Sequence, residues 1–145
     1  MKISSDITKF LILIGLSFFI SFSASAKGKL TLYCSVGADV CEMIVQAFEK
    51  ETGINTAMTR KSSGETLAQI KAESSNPKGD VWFGGTGDPH LTMAQEGLSY
   101  QYKSIHFDDL REAAQQQAVN GDYRTVGIYI GALGYGYNAS LMSDK

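Results

Sequence analysis

Cysteine, histidine and proline occur only twice each in the 145 residues, and tryptophan once. The two histidines, His90 and His106, stand sixteen residues apart with no Cys/His cluster around them, which argues against a mononuclear zinc site. Neither sign of charge dominates: thirteen basic against fifteen acidic side chains give a net charge of -2, so the basic face of a nucleic-acid binder is missing. A hydrophobic fraction of 43% with 19% charged residues excludes a disordered or fibrous chain. Enzyme signatures are missing too. Gly85-Thr86-Gly87 lacks the third glycine of a dinucleotide fingerprint, no Gly-Lys-Ser/Thr follows Gly84, and no Gly-x-Ser-x-Gly elbow exists. No enzymatic activity and no cofactor are expected.

Long hydrophobic runs are lacking apart from Phe10 to Phe22. Thirteen helical residues rise about 20 Å, short of the roughly 30 Å hydrocarbon core. With Lys2 and Lys9 before the run and Ala24-Ser25-Ala26 after it, residues 1–26 are expected to be a cleaved secretory signal peptide. Residues 27–145 then form an exported, periplasmic chain. Removing Lys2, Lys9 and Asp6 with the leader leaves eleven basic and fourteen acidic side chains. Export gives the cysteines a meaning. Cys34 and Cys41 are close enough in sequence to pair in an oxidising compartment, and a disulfide is expected ahead of a metal pair or a redox motif.

Alternating signals run along the rest of the chain. Lys29 to Cys34 reads as a first strand, and Asp39 with Glu42 as a capping box before an apolar stripe of Val40, Met43, Ile44, Ala47 and Phe48. Gly53 is placed to end that helix, and Ile54 to Thr59 to form a second strand. Glu65 to Ser74 predicts a helix facing inward through Leu67 and Ile70, and Asp80 to Phe83 a buried parallel strand. Asp88-Pro89 is expected to open a helix ending near Glu96, with Asp88 as its cap. Asp108 to Val119 reads as another helix, and Arg124 to Tyr137 as one or two glycine-spaced strands. This order implies an α/β fold with a parallel sheet between two helical layers and right-handed crossovers.

In such sheets ligands lie beyond the carboxyl ends of the strands. The loops that leave the first three strands each combine glycine with a hydroxyl and enter a helix: Ser35-Val36-Gly37, Ser62-Ser63-Gly64 and Gly85-Thr86-Gly87-Asp88. Glycine lets backbone amides approach an anion, and each helix start adds about half a positive charge. Ser35, Val36, Gly37, Ser62, Ser63, Gly64, Gly85, Thr86 and Asp88 are therefore the candidate ligand-binding residues, against the simpler reading of turn-and-cap chemistry. Asp88 suits either capping or a sugar hydroxyl. Trp82 suits either core or cleft wall, His90 a surface or capping place, and His106 solvent.

Leu30-Thr31-Leu32-Tyr33 behind a signal peptide, followed by Ala47-Phe48-Glu49-Lys50-Glu51-Thr52-Gly53-Ile54, resembles the opening of a periplasmic solute-binding protein of an ABC importer. Arg60 to Ser75, Asp80 to His90 and Ala94 to Leu98 are similar to the type II branch that includes ferric-iron binders and hexose-phosphate binders. The resemblance implies one lobe of a two-lobed binder over residues 27–145, its second lobe missing or incomplete. It also implies a small-molecule solute held between the lobes, an inner-membrane ABC permease as partner, and a monomer. Where iron-binding relatives place His and Glu ligands, this chain has residues near Gly37 and Gly85, which cannot ligate. An oxyanion-bearing solute, with a sugar phosphate favoured, is expected; a ferric-iron binder and a sensory module are the alternatives.

Overall fold

The computed structural model describes residues 28–132 and 134–141, so the leader assigned to residues 1–26 lies outside the described residues. Strand β1 spans Lys29–Cys34 and pairs in parallel with β2, Asn55–Arg60, on one side and with β3, Val81–Phe83, on the other. The sheet order is β2-β1-β3. The chain therefore steps from β1 to one flank and then crosses to the other. With right-handed crossovers, that reversal puts helix α1 (Ala38–Thr52) and helix α2 (Ser63–Ala72) on opposite faces.

The period-two alternation of β1 serves both faces. Leu32 and Cys34 join Cys41, Val45, Met58 and Phe83 in one apolar cluster under α1. Tyr33 points the other way, toward α2, where its hydroxyl donates to Glu73 Oε2 at 2.7 Å and accepts from Gln69 Nε2 at 3.1 Å. Burial first, and the Glu73 carboxylate second, push the Tyr33 hydroxyl above its ordinary range. Helix layers on both sides of a parallel sheet are the α/β lobe expected from the sequence.

Cys34 and Cys41 form a disulfide, and both are fully buried. That bond settles the rotation of α1. Cys41 must face the sheet, so Cys41, Ile44, Val45 and Phe48 turn inward while Met43 and Ala47 are exposed, correcting the expected stripe. The helix also starts two residues earlier than the capping box predicts. Gly37 is its cap residue, without a side-chain bond, and Asp39 lies inside the first turn, where its charge complements the dipole. At the other end Gly53 adopts the left-handed conformation at φ 70°, its amide bonding Glu49 O, as glycine past a helix end should.

Further corrections follow the chain. Helix α3 spans Gly87–Gln95 with Thr86 before it, so Pro89 is the third helical residue and Asp88 is not the cap. Proline is tolerated throughout a first turn because those amides have no intrahelical acceptor. Asp108 and Asp109 belong to a separate 3-10 turn, Phe107–Asp109, and extended Leu110 divides it from α4, Glu112–Asn120. Gln115 Nε2 holds the break together by donating to Phe107 O at 3.2 Å and Leu110 O at 3.0 Å. Among the described residues of Arg124 to Tyr137 there is no strand. Their β-forming composition finds no ladder: β3 pairs only with β1 among the described residues, and its Val81 is 44% exposed.

Candidate functional site

A sheet that reverses direction leaves a crevice outside the carboxyl ends of the strands flanking the reversal. Here those strands are β1 and β3. Their loops are tied at the strand ends, where Ser35 N donates to Phe83 O at 2.9 Å, and Lys61 N donates to Cys34 O at 3.1 Å to bring in the loop after β2.

Side chains then join all three loops. Trp82 Nε1 donates to Ser35 Oγ at 2.9 Å. Ser35 Oγ lies 3.2 Å from Thr66 Oγ1, whose own hydroxyl donates to Ser62 O at 2.9 Å. Because the Thr66 proton is committed to that carbonyl, the Ser35 hydroxyl must donate to Thr66. The result is one directed chain, Trp82 to Ser35 to Thr66 to Ser62. Ser63 Oγ accepts from Thr86 N at 3.1 Å, linking the second loop to the third. The backbone at Gly84 and Gly85 has φ of 78° and 92°, and a Cβ at Gly85 would overlap Ser63 Oγ and stand 3.0 Å from Ser35 Cβ. Only glycine lets the three loops meet here.

This geometry sorts the nine candidate residues. Ser35 has spent its proton on Thr66, so its hydroxyl holds loops together and has only a lone pair to offer. Ser62 is likewise committed. It caps α2, accepting from Glu65 N at 3.4 Å while the Glu65 carboxylate takes both the Ser62 amide at 3.0 Å and its hydroxyl at 2.7 Å. Those bonds, the hydroxyl's foremost, hold the Glu65 carboxyl below its ordinary range. The Gly85 amide donates to the Tyr129 hydroxyl at 2.7 Å, and that hydroxyl donates back to Gly85 O at 2.9 Å.

What remains are hydroxyl protons at Ser63 and Thr86 and backbone donors. The early amides of α1, after Val36 and Gly37, those of α2 at Ser63 and Gly64, and those of α3 at Gly87 and Asp88 have no intrahelical acceptor. Asp39 and Asp88 are acids in the first turns of α1 and α3.

Three residues near this edge escaped the sequence reading. Arg60, the last residue of β2, donates from Nε to Val36 O at 2.6 Å and so brings a guanidinium to the first loop. Its place at a strand's carboxyl end was the available signal. Tyr129 comes from a segment whose register no local pattern discloses. His90 is buried at 9% exposure, against the surface place expected for it. Its ring stacks on Trp82 with centroids 3.7 Å apart, and Nε2 bonds Gly84 O at 2.7 Å. A carbonyl only accepts, so Nε2 carries the proton. Burial pulls the His90 pKa below its ordinary value, partly opposed by that bond. His106 is in solvent as expected, its side chain 73% exposed near Asp109.

A concavity of about 770 Å³ runs beside β3 and reaches the third loop, lined among others by Val81, Trp82, Gly85, Gly87, Tyr102 and Tyr129. Its lining carries the carboxylates Glu73 and Asp80 together with the cations Lys78, Lys103 and Arg124, and touches neither Ser35 nor Ser63.

A family model described as bacterial extracellular solute-binding protein matches residues 30–120. An uncharacterised protein of Haemophilus influenzae is 39% identical over 142 residues, 98% of this chain and 40% of the relative. Among solved structures, the periplasmic binding protein P5PA superposes with a TM-score of 0.62 at 34% identity, covering 66% of this chain and 31% of the other. AfuA of Actinobacillus pleuropneumoniae, a periplasmic binding protein solved with fructose-6-phosphate bound, gives 0.60 at 39% identity, covering 62% and 28%. Iron-bound HitA of Pseudomonas aeruginosa gives 0.57 at 24% identity, covering 60% and 28%, a likeness of fold. The chain thus spans well under half the length of each of these proteins. With the family pattern running from β1 to the end of α4, the chain belongs to the bacterial extracellular solute-binding proteins.

Proposed function

We propose that this chain forms the N-terminal lobe of a periplasmic solute-binding component of an ABC importer, and that its loop edge takes the oxyanion of a small solute, a sugar phosphate before others. The observation that carries this reading is the donor set at the reversal of the sheet. Three helix starts, the Ser63 and Thr86 hydroxyls and the Arg60 guanidinium gather where the three loops touch. Backbone amides and a guanidinium suit phosphate oxygens, and hydroxyls suit phosphate and sugar alike. Resemblance at 39% identity to a protein solved with fructose-6-phosphate supports the same class.

Ferric iron as cargo is the weaker reading. It asks for hard anionic oxygen ligands, and among the described residues no group of three or more His, Cys, Asp or Glu side chains is placed to hold a metal ion. A closed site and a permease partner belong to the whole two-lobed protein and are part of the proposal.

Thermal-shift measurements with fructose 6-phosphate, inorganic phosphate and ferric citrate test the reading. Stabilisation by the phosphates that saturates with concentration is expected. A response to ferric citrate alone would overturn it.

A further inference from the structure

The only tryptophan of the chain sits in the middle of the short strand β3, half-buried, where packing alone would account for its ring. Packing does not account for its polar end. The indole N–H goes to Ser35 in the first loop, and the one protonated ring nitrogen of its stacking partner His90 goes to the Gly84 carbonyl in the third. Ser35 in turn hands its proton to Thr66, which bonds the second loop at Ser62 O. Every polar bond of the aromatic pair therefore ends on a residue just ahead of a helix start, at positions 35 and 84.

Resting on the oxyanion reading above, we propose that Trp82 and His90 are the positioning residues of the solute site. They lock the three loops into one arrangement before solute arrives, without touching it. Loosening either residue leaves the strands intact and lets the loops, with their free amides, drift apart.

The test is amide hydrogen exchange followed residue by residue in the full chain and in Trp82→Phe and His90→Gln. Trp82→Phe keeps a stacking ring and removes the N–H. The amides to watch are those of Ser35, Gly85 and Thr86, each hydrogen-bonded in the loops, against Leu32 and Ala57 in the strands. Exchange in the loops at least tenfold faster, with strand amides within twofold of wild type, is expected. Ser35→Ala should behave like Trp82→Phe, and Ser35→Thr, which keeps an acceptor for the indole, should stay near wild type. Unchanged loop exchange overturns the proposal, as does equal acceleration in loops and strands, which would mark a general loss of stability.

Calorimetry with fructose 6-phosphate and inorganic phosphate completes it. Trp82→Phe is expected to weaken binding about tenfold, the worth of one well-placed hydrogen bond. Wild-type affinity in a variant whose loops have loosened overturns the positioning role. If the loops respond but the wild-type chain binds neither phosphate, the oxyanion reading fails and the coupling between loops stands.

Discussion

Replacing Gly85 by alanine tests whether the three loops truly meet. The backbone at this position has φ 92°, beyond the region an L-residue adopts without strain, and such a conformation costs about 1–3 kcal/mol. The new methyl would also overlap Ser63 Oγ and crowd Ser35 Cβ at 3.0 Å. Forcing an extra carbon into packed surroundings costs a further ~1–3 kcal/mol. The two costs together predict a loss of about 2–6 kcal/mol in urea unfolding. Gly64 supplies the control, because a Cβ there meets nothing within 4 Å and the residue lies inside α2. Gly64→Ala should hold stability or raise it by up to about 1 kcal/mol. Its methyl nevertheless stands among the free amides of the second loop, so phosphate affinity should fall while the fold does not suffer. Equal stability of Gly85→Ala and wild type, within about 0.5 kcal/mol, would refute the packing of the loops.

Reducing the Cys34–Cys41 bond opens an eight-residue loop and should lower stability by about 2–3 kcal/mol, seen as a shift of the urea midpoint with dithiothreitol. His90 has a depressed pKa in the folded protein, so the unfolded chain takes up its proton first as the solution is acidified. Its contribution is complete above the ordinary histidine value near 6.5 and is lost as pH falls through the folded pKa; His90→Gln should flatten that part of the stability–pH curve. Ser62→Ala removes the cap of α2 and should cost about 1 kcal/mol, read by chemical denaturation, with most of the loss absent in Ser62→Asp.

How far the sequence discloses this molecule depends on whether the deciding partner is near in the chain. The alternation of β1 and the left-handed Gly53 are both set by neighbours within a few residues, and each is where the pattern puts it. The disulfide is legible because seven positions separate its ends. The stripe of α1 is not, since the covalent tie to β1 turns the helix and overrides the hydrophobic period. His90 follows Asp88 and Pro89 and looks like a surface residue; its burial depends on Trp82, reached across a glycine turn. The composition of Arg124 to Tyr137 favours strand, but a strand is a property of a pair. The loops after β1, β2 and β3 were visible as a set, because parallel topology alone sends them to one edge. Which hydroxyls are already spent on one another, at Ser35 and Ser62, follows only from the folded arrangement.

The Cys34–Cys41 bridge has a consequence apart from the stability of the lobe. The ring it closes contains Ser35, Val36 and Gly37 together with the opening residues of α1, so the first loop and the amides behind it are a covalent macrocycle anchored in the central strand. A loop that is free must surrender its conformational freedom when it grips a ligand, and that entropy is subtracted from affinity. Here the bond restricts that freedom before any ligand could arrive. If this edge is the proposed solute site, oxidation of the two cysteines would raise its affinity, and reduction would lower it without touching a single ligand contact.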